Sequence, residues 1–141
     1  MSPTDATVAP TRVVLADLPG RPCPIAASLE LVGERWALLV VRELSFGVHR
    51  FTAIQRGTGA PKDRLAARLR ALVGAGVVER RRYQSGPDRF EYHLTPSGRD
   101  LLPVLDALLT WGRTHAVALP SPSPATPSRA TPSPPPTQEP R

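Results

Sequence analysis

The chain has 141 residues and a mass of 15.2 kDa, which leaves room for one modest domain with tails and excludes a large multidomain enzyme. Its 18 basic residues, all but one of them arginine, outnumber 12 acidic ones, and the net charge of +6 favours an acidic partner. A single cysteine excludes an internal disulfide framework and a zinc finger, and we find no membrane span or signal peptide in the sequence. We therefore expect a reduced, intracellular protein.

The two ends of the chain differ in composition from its centre. Residues 120–141 hold nine of the 18 prolines and no aromatic residue, so they cannot bury enough apolar surface to offset their ordering entropy. We expect residues 117–141 to form a disordered Pro/Ser-rich tail and residues 1–22 a flexible N-terminal arm. The predicted domain covers residues 23–116.

Helical spacing of apolar residues predicts four helices in the first part of this domain. They begin, in chain order, at Pro24, Trp36, Phe51 and Pro61. Glycines are expected to end them, at Gly33, Gly47, Gly57 and Gly74, with a turn over residues 57–59. The fourth helix has its leucines on one face and leaves the opposite face to small and basic residues.

The sequence of the second part of the domain predicts a β-hairpin and a last helix. Residues 77–84 have strand character, residues 85–88 have turn chemistry, and residues 90–94 alternate between apolar and polar side chains. Thr95 is a suitable N-cap for the last helix, which Pro103 is expected to kink. The fold class expected is mostly α with a small β-hairpin wing.

A short helix, a turn, a basic helix and a hairpin together have the pattern of a winged helix-turn-helix. Residues 50–89 carry ten basic side chains against three acidic ones, so the positive excess of the chain lies in this motif. The start of the second helix of such a motif can enter the major groove, and cations at the hairpin can contact phosphates. The candidate DNA-contacting residues are Lys62, Arg64, Ala67, Arg68, Arg80, Arg82, Arg89 and Arg50. For any one arginine, a role in surface solubility alone is the alternative.

Characteristic short motifs occur in five successive predicted elements between residues 23 and 112. They include Cys23-Pro24, Gly33-Glu34-Arg35-Trp36, Arg50-Phe51, LAARLRAL over residues 65–72, GVVER over residues 76–80, EYHLT over residues 91–95, and Gly98. Together they resemble the HxlR-type winged helix-turn-helix regulators, relatives of MarR. In this family a Ser or Thr commonly caps the recognition helix, whereas this chain has Ala60-Pro61 there.

The resemblance implies a homodimeric transcription regulator, most often a repressor, that binds a pseudo-palindromic operator on the bacterial nucleoid in the cytoplasm. It also implies dimerisation through the first and last helices. The candidate interface residues are Leu29, Leu101, Leu105, Leu108 and Trp111. Each of them could instead close the core of the monomer.

Cys23 is a redox-sensing candidate. It directly precedes a proline that can start a helix, and exposed backbone N–H groups together with Arg21 favour a thiolate. The resembled family uses a cysteine at this position to sense oxidants and electrophiles. The alternative is a small apolar residue in the core, and a disulfide would have to join two subunits or a small thiol.

The sequence does not support the hypothesis that the protein is an enzyme. His49, His93 and His115 lack metal-ligand spacing, and residues 57–59 lack the rest of a phosphate-binding loop, so we predict no metal, cofactor or catalytic residue. The predicted function is a DNA-binding transcriptional regulator. The alternative is a winged-helix module that binds an acidic protein surface. The sequence identifies neither the operator nor a small-molecule effector.

Overall fold

A computed structural model describes residues 10–87, 89–118 and 120, so the predictions for residues 1–9 and for most of the tail lie outside the described residues. The elements are α1 (Pro24–Val32), α2 (Ala37–Ser45), α3 (Phe51–Thr58), α4 (Lys62–Gly74), β1 (Val78–Gln84), β2 (Arg89–Leu94), α5 (Pro96–Arg99) and α6 (Leu102–His115). The predicted fold class, mostly helical with a two-stranded wing, is confirmed. None of the helices in these ranges has the length and apolar character needed to cross a membrane.

The core lies where α2, α3 and α4 meet. Each helix contributes one apolar stripe, and the hairpin closes the core from one end. Its least exposed large side chains are Val40, Val41, Ile54, Leu65, Leu69, Leu72 and Val78. Because these side chains interlock, the orientation of α4 is fixed relative to α2 and α3.

The turn between α3 and α4 is shorter than the glycine pattern predicts. α3 continues through Thr58 and includes Gly57. Gly57 lies directly against the buried side chain of Glu43, where a Cβ would overlap the carboxylate. The Thr58 hydroxyl accepts a hydrogen bond from the Ala60 N–H at 3.2 Å, and Gly59, with φ of 74°, ends the helix. Gly57 is therefore a packing residue inside the helix rather than part of the turn.

The two strands of the hairpin pair with each other, and β2 also pairs with the segment that precedes α3. β1 and β2 pair antiparallel, with Val78 opposite Leu94. On the free edge of β2, the Tyr92 N–H donates to the His49 carbonyl at 2.8 Å, and Arg50 forms an isolated antiparallel bridge to the same strand. The wing is thus held by the segment that leads into the helix-turn-helix.

The predicted last helix is two helices. The Thr95 hydroxyl caps α5 by accepting a hydrogen bond from the Gly98 N–H at 3.1 Å. After a turn at Asp100 and Leu101, α6 begins with Pro103 in its first turn, where a missing N–H costs no hydrogen bond. The expected kink at Pro103 is therefore wrong, because the proline starts a new helix.

The described part of the predicted flexible arm, residues 10–22, contacts the domain at the end of α4, where Pro10 packs close to Gly76. The Thr11 N–H donates to the Gly74 carbonyl at 2.9 Å, at the end of α4. Further along, the arm forms a 3₁₀ turn over Leu15–Asp17, which buries no side chain. The flexibility of the arm stays a prediction.

Gly98→Ala should destabilise the domain. A Cβ at Gly98 would overlap the carbonyl oxygen of Val77 and press on Leu94, and backbone cannot move away as a flexible side chain can. We expect the free energy of unfolding to fall by about 1–3 kcal/mol in chemical denaturation. Gly74→Ala is the control, because a Cβ there meets nothing within 4 Å. Equal effects of the two substitutions would contradict the close packing at Gly98.

Candidate nucleic-acid interface

α4 has an apolar and a polar face. Leu65, Leu69 and Leu72 are buried in the core. The exposed side chains on the rest of the helix surface include Lys62, Asp63, Arg64, Ala67 and Arg70. Arg64 and Arg70, each three positions from Ala67, flank this small residue, and Asp63 lies one turn before it. A surface of this kind lets a helix backbone approach a polyanion closely.

The cations of the hairpin are sorted by strand alternation. Arg80 lies opposite Tyr92 and Arg82 lies opposite Phe90, so these four side chains share one face. The Arg80 guanidinium lies 4.1 Å from the centroid of the Phe90 ring, which holds it by a cation–π contact. This face lies toward the helix-turn-helix, because Arg80 and Tyr92 line a cleft shared with Arg70 of α4.

The opposite face of the hairpin carries compensated charges. Arg81 donates to Glu79 at 3.1 Å, and this hydrogen bond lowers the pKa of the Glu79 carboxyl and raises the pKa of Arg81. Next to them, the His93 Nε2 lies 3.0 Å from a Glu91 carboxylate oxygen. The net positive charge of the wing therefore comes from its other face and its tip.

A second cleft lies between the start of α3 and the tip of the wing. It is lined by Arg50, Arg56 and Arg89 together with Tyr83, and the Arg50 guanidinium lies 4.3 Å from the Tyr83 ring centroid. Arg50 is partly compensated, because its Nε lies 3.8 Å from a Glu91 oxygen. The sequence prediction omitted Arg56. Its helical spacing of four from Thr52, which lines the same cleft, is the signal that identifies it.

Arg68 departs from the other predicted DNA-contacting residues. Its side chain is 23% exposed and forms an ion pair with Glu34, in the turn between α1 and α2. The Arg68 Nε is buried and has no hydrogen-bond partner within the described part of the chain. The structure thus brings most of the other predicted cations to α4 or to the clefts beside it, places Arg82 on the wing face that carries Arg80, and directs Arg68 toward a different element.

The predicted dimer-interface residues fall into two groups. Leu101 and Leu105 pack against the core of the same chain. Leu29, Leu108 and Trp111 remain 60%, 48% and 60% exposed. The structure adds further exposed apolar side chains on or beside the same helices: Ile25, Phe46, Val104 and Leu109.

A groove of about 650 Å³ continues this apolar surface between α2 and α6. Its walls include Leu38, Leu102 and Leu109, with the exposed ring of Phe46 at one end. An unpartnered apolar surface of this extent on two helices is typical of a protein–protein interface.

Cys23 is the N-cap residue of α1. Its Sγ accepts a hydrogen bond from the Ala26 N–H at 3.4 Å, and the residue is partly buried. The structure also stacks His49 and His93, with ring centroids 3.9 Å apart, although the two are distant in sequence. In the described ranges, no cluster of three or more His, Cys, Asp or Glu side chains could hold a metal ion.

The helix-turn-helix followed by a hairpin defines a winged helix-turn-helix protein. Residues 31–119 match the family model described as HxlR-like helix-turn-helix, and the chain belongs to this family. The resemblance that the sequence motifs carry is thereby confirmed. Related members of the family are named as HTH-type transcriptional regulators.

Three similar proteins illustrate the relationship. Rv3095 of Mycobacterium tuberculosis (strain ATCC 25618 / H37Rv), an uncharacterized HTH-type transcriptional regulator, is 49% identical over 88 residues, which are 62% of this chain and 56% of that protein. This chain thus spans little more than half of that relative's length. PA1607, a candidate transcription factor, has a TM-score of 0.64 and 38% identity, covering 79% of this chain and 80% of its own. The redox regulator HypR, in its reduced form, has a TM-score of 0.60 and 28% identity, covering 65% and 92%.

Proposed function

We propose that this chain is a transcriptional repressor that binds a pseudo-palindromic operator as a homodimer, on chromosomal DNA in the cytoplasm. One observation carries the proposal. Within residues 10–87 and 89–118, the salt bridges leave several cations of the helix-turn-helix and wing without a carboxylate partner. These cations are Arg56, Lys62, Arg64, Arg70, Arg80 and Arg89. A polyanion such as DNA would supply the negative charges that pair with these cations.

The geometry supports a division of labour between α4 and the wing. An α-helix fits the major groove of B-DNA, so the exposed face of α4 presents Arg64 and Ala67 to base edges. Arginine can bind guanine through two hydrogen bonds, and a small apolar residue can contact a thymine methyl. Arg80, Arg89 and Arg50 border clefts beside the helix, where they would contact phosphates and carry no sequence information. A winged-helix module that binds acidic proteins would need the positive charge but not a small residue between two arginines on the exposed face of α4.

The homodimer is supported by the exposed apolar surface of α1 and α6. Leu29, Leu108 and Trp111 would be buried against a second copy, whereas Leu101 and Leu105 would support α6 from inside the monomer. A two-fold axis through such an interface places two recognition helices on one side of the DNA, and this is the symmetry of a pseudo-palindromic operator.

Redox control through Cys23 is the regulatory part of the proposal. The similarity to HypR, a redox regulator, supports it, as does the position of Cys23 at the start of a helix in the proposed dimer interface. Oxidation of the thiol would remove the cap on the Ala26 N–H and change the start of α1. With one cysteine in the chain, any disulfide formed on oxidation would join two subunits or would be a mixed disulfide with a small thiol.

DNA binding should weaken steeply with salt. If each dimer neutralises about six phosphates, the plot of log affinity against log salt concentration should have a slope of about −5 or steeper. The measurement is fluorescence anisotropy with an operator selected from genomic fragments, with the protein stoichiometry determined on the same duplex. Two chains per operator are expected. Binding that ignores salt, or no binding to any fragment while an acidic protein is bound, would favour the protein-interaction module instead.

Arg64→Ala and Arg89→Ala should have different effects. Arg64→Ala should cost about 1–3 kcal/mol on the operator and less on random DNA, because a base contact discriminates as well as attracts. Arg89→Ala should weaken binding to both DNAs by similar factors. The matched control is Arg81→Ala, since Arg81 is paired with Glu79 on the opposite face of the wing. If Arg64→Ala and Arg89→Ala shift both affinities alike, the assignment of a base-reading helix is wrong.

Oxidant should release the wild-type protein from its operator, and Cys23→Ser should bind normally and ignore the oxidant. The physical reason is that a thiol at a helix start reacts readily and its modification disturbs α1. The measurement is operator affinity with and without diamide, alongside non-reducing gels. Should wild type keep its affinity with Cys23 unmodified, and Cys23→Ser mainly lower the melting temperature, Cys23 is a packing residue.

A further inference from the structure

Arg68 occupies an unusual place on the recognition helix. At 100° per residue, it lies close to Leu65 and Leu72 of the core stripe, whereas Ala67 points to the opposite side of α4. Its low exposure agrees with this position. A side chain that leaves the helix here runs along the protein surface toward α1 rather than out toward a bound duplex.

The end of the Arg68 side chain is held by Glu34. The ion pair joins Nη2 of Arg68 to Oε2 of Glu34, and both side chains are partly buried. The neighbouring Nε has lost water without gaining a hydrogen-bond partner within the described residues, which is unfavourable. The pair with Glu34 must offset that cost. Without Glu34, the guanidinium would be expected to leave this position for solvent.

The presence of a carboxylate also argues against a DNA contact. If the Arg68 guanidinium lay against phosphates or base edges, its partner Glu34 would be close to the same polyanion, and like charges would repel. The other cations of α4, Lys62, Arg64 and Arg70, form no ion pair with an acidic residue in the described part of the chain.

We propose that Arg68 is a positioning residue, which fixes the recognition helix α4 to the α1–α2 turn through Glu34 and makes no contact with DNA. The inference rests on the proposed DNA-binding function. It connects the helix that carries Cys23 and Leu29 to the helix that carries Arg64, so a displacement of α1 changes the angle at which α4 meets its operator. The ion pair is therefore a link between the regulatory end of the chain and the reading face.

Substitution of Glu34 separates positioning from contact. If Arg68 is a positioning residue, Glu34→Gln and Arg68→Met each weaken operator binding by about tenfold, and the double variant is no weaker than either one. Both leave the salt slope unchanged, because no phosphate contact is lost. If Arg68 touches DNA, Arg68→Met lowers the slope by about one, and Glu34→Gln binds as well as wild type or better, since a repulsive charge has gone.

The charge-swapped variant Glu34→Arg/Arg68→Glu gives an independent test. A positioning pair tolerates the exchange, so operator affinity should return to within about threefold of wild type, whereas Arg68→Glu alone should lose it. An Arg68 that contacts DNA cannot be rescued in this way, and the swap would then bind no better than Arg68→Glu. Arg64→Glu is the control, since loss of binding is expected there with no rescuing partner.

Folding and function are checked separately. Thermal unfolding of every variant shows which ones fold. If the swap fails to fold, the salt slopes and the coupling of Glu34→Gln with Arg68→Met decide the question. Additive losses, a reduced slope for Arg68→Met, or tighter binding by Glu34→Gln would overturn the proposal. Failure of the wild type to bind any genomic duplex at low salt would instead remove the proposed function on which it rests.

Discussion

The structure depends on the contact of α3 and α4 with α2. Ile54, Leu65 and Leu69 are buried in the same core cluster as Val40 and Val41 of α2, so both helices of the helix-turn-helix pack on α2. Burial of this kind contributes about 1.5–3 kcal/mol per large side chain, which makes it the main term that holds the motif together. It also decides which residues of α4 are left outside.

A polar contact fixes the same helices where the apolar contact ends. Arg42 binds the Glu43 carboxylate at 2.9 Å and donates to the carbonyl of Gly57 at 2.8 Å. A buried carboxylate needs such partners, and the absence of a side chain at Gly57 is what allows it to lie so close to α3. The two interactions together prevent α3 from sliding along α2. Because α3 is fixed, the short turn at Gly59 places the start of α4.

The sequence was sufficient to predict most of the fold, because its apolar spacing changes from helical to alternating where the structure changes from helix to strand. The sequence was insufficient where a contact between residues distant in the chain determines the local structure. Gly57 could be read as a turn residue, since only the packed Glu43 shows that it lies inside a helix. Pro103 could be read as a kink, because sequence alone does not show that α5 ends before it. The stacking of His49 on His93 depends on the bridge between the α2–α3 segment and β2.

The candidate site shows the same limit. Exposed cations on α4 and the wing follow from local periodicity, so Arg64 and Arg89 could be predicted from the sequence as surface cations. Whether a cation is already neutralised depends on residues far away in the chain, and for Arg68 the partner lies 34 positions earlier. Helical spacing placed Arg68 beside Arg64, but it could not show that a carboxylate from another turn would meet it. A count of positive charges therefore overstates the number available to a polyanion.

Two physical connections join the apolar surface of α1 and α6 to the reading helix. α6 packs on α2 through Leu102 and Leu105, and α2 supports α3 and α4. α1 reaches α4 more directly, through the Glu34–Arg68 pair. In a dimer built on α1 and α6, the spacing of two recognition helices would be set by the first connection, because a packed core resists deformation. Their tilt would respond to the second, because an ion pair can break without unfolding the core. A modification at α1 would then change the tilt of α4 in the major groove, while the distance between the two recognition helices of the dimer stays the same.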